Sequence, residues 1–145
     1  MKFEGRLSDK RTPEPPVETI SHVFLAHAQN PRNMGGLETA NGLAVGVGSC
    51  GDTLAVQIQV ENSIIEDIRC LPKGCIYTVV CASVMSELVK GRQLEEVLKL
   101  QPEDIDTLLG GLPPDHKHCA RLAVNSLGEA IDDYYRRNGF PKDGP

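Results

Sequence analysis

The chain has 145 residues, room for one compact domain, and a domain of this size builds an adequate core without disulfide staples. Its composition is that of an ordinary water-soluble protein, 40% apolar and 24% charged, with so few aromatic residues that the core must rest on Val, Leu, Ile, Ala and Met. The formal net charge is −5 and no block of Lys or Arg appears, which argues against nucleic acid as a partner. The N-terminal sequence MKFEGRLSDKRTPEPP has no apolar run that would act as a signal or a span, so the expected setting is cytoplasmic, with no membrane contact.

Residues 1–16, with Pro13, Pro15 and Pro16, read as a flexible N-terminal arm. Helical spacing begins at Val17 and continues through Ile20, Phe24 and Ala28, until Asn30-Pro31 forces the chain out of the α region. The Gly- and Asn-rich stretch 31–51 predicts an irregular approach with one short strand over 43–47. Residues 53–60 alternate, with Leu54, Val56, Ile58 and Val60 on one face, as a half-buried strand does. Glu61-Asn62-Ser63 is a turn into a second strand over 64–70, antiparallel because the connection is short. Leu71-Pro72-Lys73-Gly74 reads as a break.

Helix is predicted from Cys75 to about Lys90, with Gly91 as the stop. Short helices follow over 94–100 and 102–108, then a stiff Gly110-Gly111-Leu112-Pro113-Pro114 loop. Asp115 is expected to cap a last helix with Leu122, Ala123, Leu127, Ala130, Ile131 and Tyr134 on its apolar stripe. Strands before helices predict an α+β domain over 17–138, a small three-stranded antiparallel sheet with helices packed on one face, and a C-terminal tail over 139–145.

Cysteines stand at positions 50, 70, 75, 81 and 119. A reducing compartment and an odd count both exclude a disulfide framework. Cys70 lies inside a strand and Cys81 inside a helix, where a free cysteine is ordinarily a small buried hydrophobe. The other three lie at junctions. Cys50 is in the loop Gly48-Ser49-Cys50-Gly51-Asp52, where turn geometry and capping by Asp52 are an equal reading. Cys75 follows Gly74 at a helix start, where the dipole and free N–H groups favour thiolate. His118 and Cys119 are two adjacent soft ligands at another helix start. His116 reads as a solvated neighbour, and His22 and His27 as surface or structural residues of the first helix. No Cys-x-x-Cys appears, which excludes a zinc ribbon or a ferredoxin pattern. Residue chemistry alone points to a metal site built on thiolates.

An ordered set of segments goes further. His27-Ala28-Gln29-Asn30-Pro31-Arg32-Asn33 with Gly35, Cys50-Gly51-Asp52, Gly74-Cys75, Glu87-Leu88-Val89-Lys90-Gly91, Leu112-Pro113-Pro114 and His118-Cys119 with Leu122-Ala123 follow one another along the chain. In this order and spacing the sequence resembles the scaffold family of iron–sulfur cluster assembly, IscU and the N-terminal domain of NifU, over roughly residues 20–135. The resemblance implies that Cys50, Cys75 and Cys119 bind the cluster, with Asp52 in place of the family's aspartate and His118 in place of its histidine.

It further implies a scaffold that has no small-molecule turnover of its own. Such a scaffold takes persulfide sulfur from a cysteine desulfurase, receives Fe2+, builds a [2Fe–2S] cluster and passes it to apo-proteins as a monomer or weak homodimer. Zn2+ is expected to fit the same site. Cys119 is the expected persulfide acceptor, on the ground that a helix start favours thiolate.

The family's chaperone-recognition stretch reads Leu-Pro-Pro-Val-Lys, and Asp115-His116 after Pro114 departs from it, which argues against that chaperone. Bulky Ile76-Tyr77-Thr78-Val79-Val80 and Cys81 also depart from the small residues usual after the second cysteine. The alternative is a zinc-holding sulfurtransfer partner that activates a desulfurase, as in the SufU branch. The absence of that branch's insertion between Cys75 and Cys119 counts against it. A closed structural zinc domain is a third reading, and it would unfold on losing metal.

Overall fold

The computed structural model describes residues 21–139. The arm over 1–16, the helical spacing at Val17 and Ile20, and the tail beyond Gly139 lie outside them. Helix α1 (His22–Gln29) starts at Ser21, whose hydroxyl accepts the Phe24 N–H at 3.0 Å, and it ends where Asn30 turns out of the helix before Pro31. Strands β1 (Gly42–Val47), β2 (Thr53–Glu61) and β3 (Ile64–Lys73) form one antiparallel sheet in the order β1-β2-β3. Helices α2 (Ile76–Val89), α3 (Leu94–Val97), α4 (Pro102–Leu108) and α5 (Lys117–Asn138) follow. This is the expected α+β arrangement. No helix among the described residues is long and apolar enough to cross a membrane.

Alternation along β2 decides the layering. Leu54, Val56, Ile58 and Val60 are buried and pair across the sheet with β3, whose Ile65, Ile68 and Cys70 are buried beside them. Asn62 and Ser63 both take positive φ (54° and 63°), the conformation that a two-residue hairpin turn needs to match the strand twist. The inward positions of β1 are small, Gly42, Ala44 and Gly46, and α5 lies against them. A Cβ at Gly46 would stand 2.1 Å from the Ser126 hydroxyl of α5, so this crossing distance requires glycine. The opposite face of β1 is open, with Val45 59% and Val47 71% exposed.

Four details differ from the sequence expectation. Strand β3 runs through Leu71 and Pro72 to Lys73 instead of breaking. The backbone of Cys70 faces away from β2, toward Asn33 and Gly35, and Pro72 shares that orientation two residues on. Its missing N–H therefore costs no ladder bond. Helix α3 stops at Val97, because the bonds from Lys99 to Glu96 and from Leu100 to Val97 tighten the turn, and Gln101 before Pro102 must be extended. Asp115 does not cap α5: it lies inside a 3-10 turn, Pro114–His116, and the helix begins at Lys117. The strand expected over 43–47 begins one residue earlier, at Gly42.

His27, expected to be a surface or structural residue, is structural and 6% exposed. Its Nδ1 lies 2.6 Å from the Ser83 hydroxyl, and its Nε2 lies 3.5 Å from Glu87. Burial lowers its pKa below the ordinary value, Arg32 adds to this, and Glu87 opposes it. The unfolded chain therefore takes up this proton more readily, and folding stability falls as pH drops through about 6.5. Urea midpoints are expected to decrease between neutral pH and about pH 5, and His27→Gln should flatten that decrease. An equal slope in the variant would exclude His27 as its source.

Candidate functional site

Three chain junctions meet at one end of the sheet. The β1–β2 loop closes through Gly48 N–H to the Asp52 carbonyl (2.7 Å) and Gly51 N–H to the Gly48 carbonyl (3.0 Å), leaving Cys50 exposed at its tip. The β3–α2 junction places Cys75 as the N-cap of α2, half-buried. The 3-10 turn into α5 supplies His116, His118 and Cys119, and Cys119 is buried.

Asp52 joins the first two junctions. One carboxylate oxygen accepts the Thr78 hydroxyl and, at 3.3 Å, the Cys75 N–H, so a loop residue caps the first turn of α2 from outside the helix. The Thr78 bond, helped by the Cys50 thiol and the Cys75 groups, holds the Asp52 carboxyl below its usual range against a small opposing effect of burial. Position 74 must be glycine for this contact, since a Cβ there would lie 2.2 Å from the Asp52 carboxyl carbon.

Thr78 also reaches Cys119, with its Oγ1 3.5 Å from the sulfur. Cys50 Sγ lies 3.0 Å from His118 Nε2, and that nitrogen lies 3.7 Å from Cys119 Sγ. Cys75 Sγ is 3.9 Å from His116 Nδ1. The donor atoms of Cys75, His116 and Cys119 all lie within 4.8 Å of one another, the one such metal-capable group of three among the described residues. The five expected residues, Cys50, Asp52, Cys75, His118 and Cys119, thus share one surface, but Cys50, Asp52 and His118 stand outside the tightest cluster.

His116, read from sequence as a solvated neighbour, belongs to the cluster. Its ring stacks on Tyr77 with centroids 3.9 Å apart and planes 14° apart. The available signal was the spacing of His116 and Cys119, three residues apart at a helix start and therefore on one face. Thr78 was missed as well, since its β-branched neighbours drew attention to helix propensity while its i, i+3 relation to Cys75 carried the function.

The thiolate expected at Cys119 is overturned for the metal-free chain. Burial pushes this thiol up to about 11 despite its place in the first turn of α5 and the Thr78 hydroxyl beside it, with the neighbouring Cys75 also opposing ionisation. Burial likewise pushes Cys70 up to about 12 and Cys81 still higher. Cys81 is fully enclosed in the core, so the bulky turn after Cys75 brings a further thiol near the site without exposing it.

Two outcomes follow from this geometry. Limited alkylation of the native, metal-free chain, read by peptide mass spectrometry, is expected to modify Cys50 first and Cys75 next, with Cys70, Cys81 and Cys119 reacting only after unfolding. Labelling of Cys119 as fast as Cys50 would refute the burial argument. Thr78→Val keeps the shape but removes the hydroxyl bond to Asp52, and is expected to cost about 1–3 kcal/mol in urea unfolding. A stability within experimental error of the parent chain would show that Asp52 is held by other groups.

A family model described as the NifU-like N terminal domain matches residues 19–140. The chain is 42% identical over 114 residues to iron-sulfur cluster assembly scaffold protein IscU 1 of Archaeoglobus fulgidus, covering 78% of this chain and 74% of the relative. It is also 42% identical over 118 residues to iron-sulfur cluster assembly scaffold protein IscU of Aquifex aeolicus, covering 79% and 75%. A solved structure of a nitrogen-fixing NifU-like protein (N-terminal) from Brucella abortus has the same fold, with a TM-score of 0.63 over 85% of this chain and 99% of that one at 19% identity.

Proposed function

The chain belongs to the NifU-like N-terminal domain family, and from that premise we propose that it is a scaffold for iron–sulfur cluster assembly. On this reading it accepts sulfur from a cysteine desulfurase together with Fe2+, carries a [2Fe–2S] cluster as cargo on Cys50, Cys75 and Cys119, and passes it to apo-proteins. The observation that carries the reading is the convergence of three thiols from three separate junctions on one surface that also presents Asp52 and His118.

The donor set fits that cargo. Iron–sulfur clusters are held by thiolates. Three thiols with a carboxylate or imidazole as the remaining partner leave one exchangeable position, which suits a site that must release what it builds. Zn2+ accepts the same sulfur, nitrogen and oxygen donors in a tetrahedron.

Each residue then has a task. Cys50 is the thiol a donor protein reaches without opening the fold, so it replaces Cys119 as the point of sulfur entry. Its thiolate attacks the outer sulfur of the donor's persulfide; a new S–S bond forms on Cys50, the donor's S–S bond breaks, and the donor thiolate leaves with no net oxidation. His118, 3.0 Å away, is placed to take the thiol proton. Asp52 keeps the Cys50 loop fastened to the start of α2. Handover proceeds without the chaperone that reads Leu-Pro-Pro-Val-Lys, since Asp115-His116 stands in its place.

Anaerobic reconstitution with Fe2+, cysteine and a desulfurase tests the reading. Visible absorption and Mössbauer spectra should show a cluster in the wild type that is mostly lost in Cys50→Ser, Cys75→Ser and Cys119→Ser. It should persist in Cys70→Ser and Cys81→Ser. A colourless protein that keeps zinc and still stimulates the desulfurase would overturn it in favour of a sulfurtransfer partner.

A further inference from the structure

We propose that His116, together with Cys75 and Cys119, forms a subsite for a single thiophilic divalent cation, with Cys50 and His118 left outside it as a separate pair. The inference rests on the scaffold reading for its purpose, a first metal ion held before sulfur arrives, but its geometry stands on the three side chains alone.

The distances are those of a site that needs only slight closure. Metal–sulfur bonds of about 2.3 Å and metal–nitrogen bonds of about 2.0 Å in a tetrahedron set donor atoms about 3.5–3.8 Å apart. His116 Nδ1 and Cys75 Sγ are already 3.9 Å apart, and no pair in the group exceeds 4.8 Å. Each donor comes from a fixed element: Cys75 caps α2, Cys119 lies in the first turn of α5, and His116 ends the 3-10 turn before it.

The imidazole is held in plane by its neighbours. Tyr77 stacks on His116 at 3.9 Å and is in turn packed at 54° against Phe24, with centroids 5.3 Å apart. This aromatic stack leaves Nδ1 turned toward Cys75. Tyr77 is thereby a positioning residue, which gives the bulky turn after Cys75 a purpose.

The other candidates are committed elsewhere. The Asp52 carboxylate is taken up by the Thr78 hydroxyl and the Cys75 N–H. His118 Nε2 sits 3.0 Å from Cys50 Sγ, and Cys50 does not fall within the group. Two thiolates and one imidazole balance a divalent charge and leave a fourth position open, the arrangement of a site that exchanges a ligand as opposed to a closed structural site.

Zinc X-ray absorption and competition titration of the full chain test this directly. The wild type is expected to show two sulfur ligands with imidazole scattering, retained in Cys50→Ser and His118→Gln. His116→Gln should lose the imidazole signal and at least about 10-fold in Zn2+ affinity, since even outer partners of metal ligands are worth that much. His116→Cys should hold zinc with three sulfurs, a result a merely structural residue would not produce even if the Gln variant folds poorly.

Imidazole scattering that vanishes in His118→Gln and survives in His116→Gln would overturn the proposal. So would a sulfur ligand lost in Cys50→Ser, or a wild type that retains no zinc. A protein that shows the expected zinc ligands but fails cluster reconstitution would overturn the scaffold reading and leave this site standing.

Discussion

Helix α5 lies so close to β1 that no side chain fits between them at Gly46, where a Cβ would meet the Ser126 hydroxyl. This approach sets the rest of the domain. With α5 pressed on β1 and α2 packed beside it, the inward face of β2 is closed over by two helices whose N-terminal ends stand at the same edge of the sheet. Apolar burial drives the packing, and the small residues of β1 decide where α5 comes to rest. The consequence at the site is that Cys119, in the first turn of α5, reaches Thr78 in the first turn of α2.

Asp52 turns this packing into a functional arrangement. The N–H groups at the start of α2 have no partners within their own helix, and a carboxylate from the β1–β2 loop supplies one. The loop that carries Cys50 is thus fastened to the junction that carries Cys75, at a point where only glycine at position 74 leaves room. One polar contact serves both folding and function: it satisfies a helix end and sets two thiols on one surface.

Electrostatics at the site is a contest between helix ends and burial. A helix start favours thiolate, worth typically 0.3–1 kcal/mol near the surface, whereas removal from water disfavours any charge more strongly when the group is enclosed. For Cys119 burial wins, and its thiol stays protonated in the free chain. Cys50 remains in contact with solvent at the loop tip. The same side-chain chemistry therefore takes two roles, an open thiol at the entrance and an enclosed one that needs a cation to replace its proton.

Much of this was legible from residues alone because it depends on short-range rules. The alternation over 53–60, the Asn62-Ser63 turn, the stop at Asn30-Pro31 and the Pro102 helix start are local, as is the ordered set of Cys50-Gly51-Asp52, Gly74-Cys75 and His118-Cys119. Where the reading failed, a partner from elsewhere in the chain decided the outcome. Pro72 stays in β3 because its neighbours on the open edge are loop residues that need nothing from it. His116 is a ligand candidate because Tyr77, from another helix, aligns its ring. The sequence by itself determined which segments become strands and helices and which family the chain joins, since periodicity, caps and ordered motifs are properties of neighbouring residues. Only the tertiary structure decided which thiol is open, which is enclosed and which histidine faces the cysteines, because burial and ring orientation arise from atoms that meet only after the chain has packed.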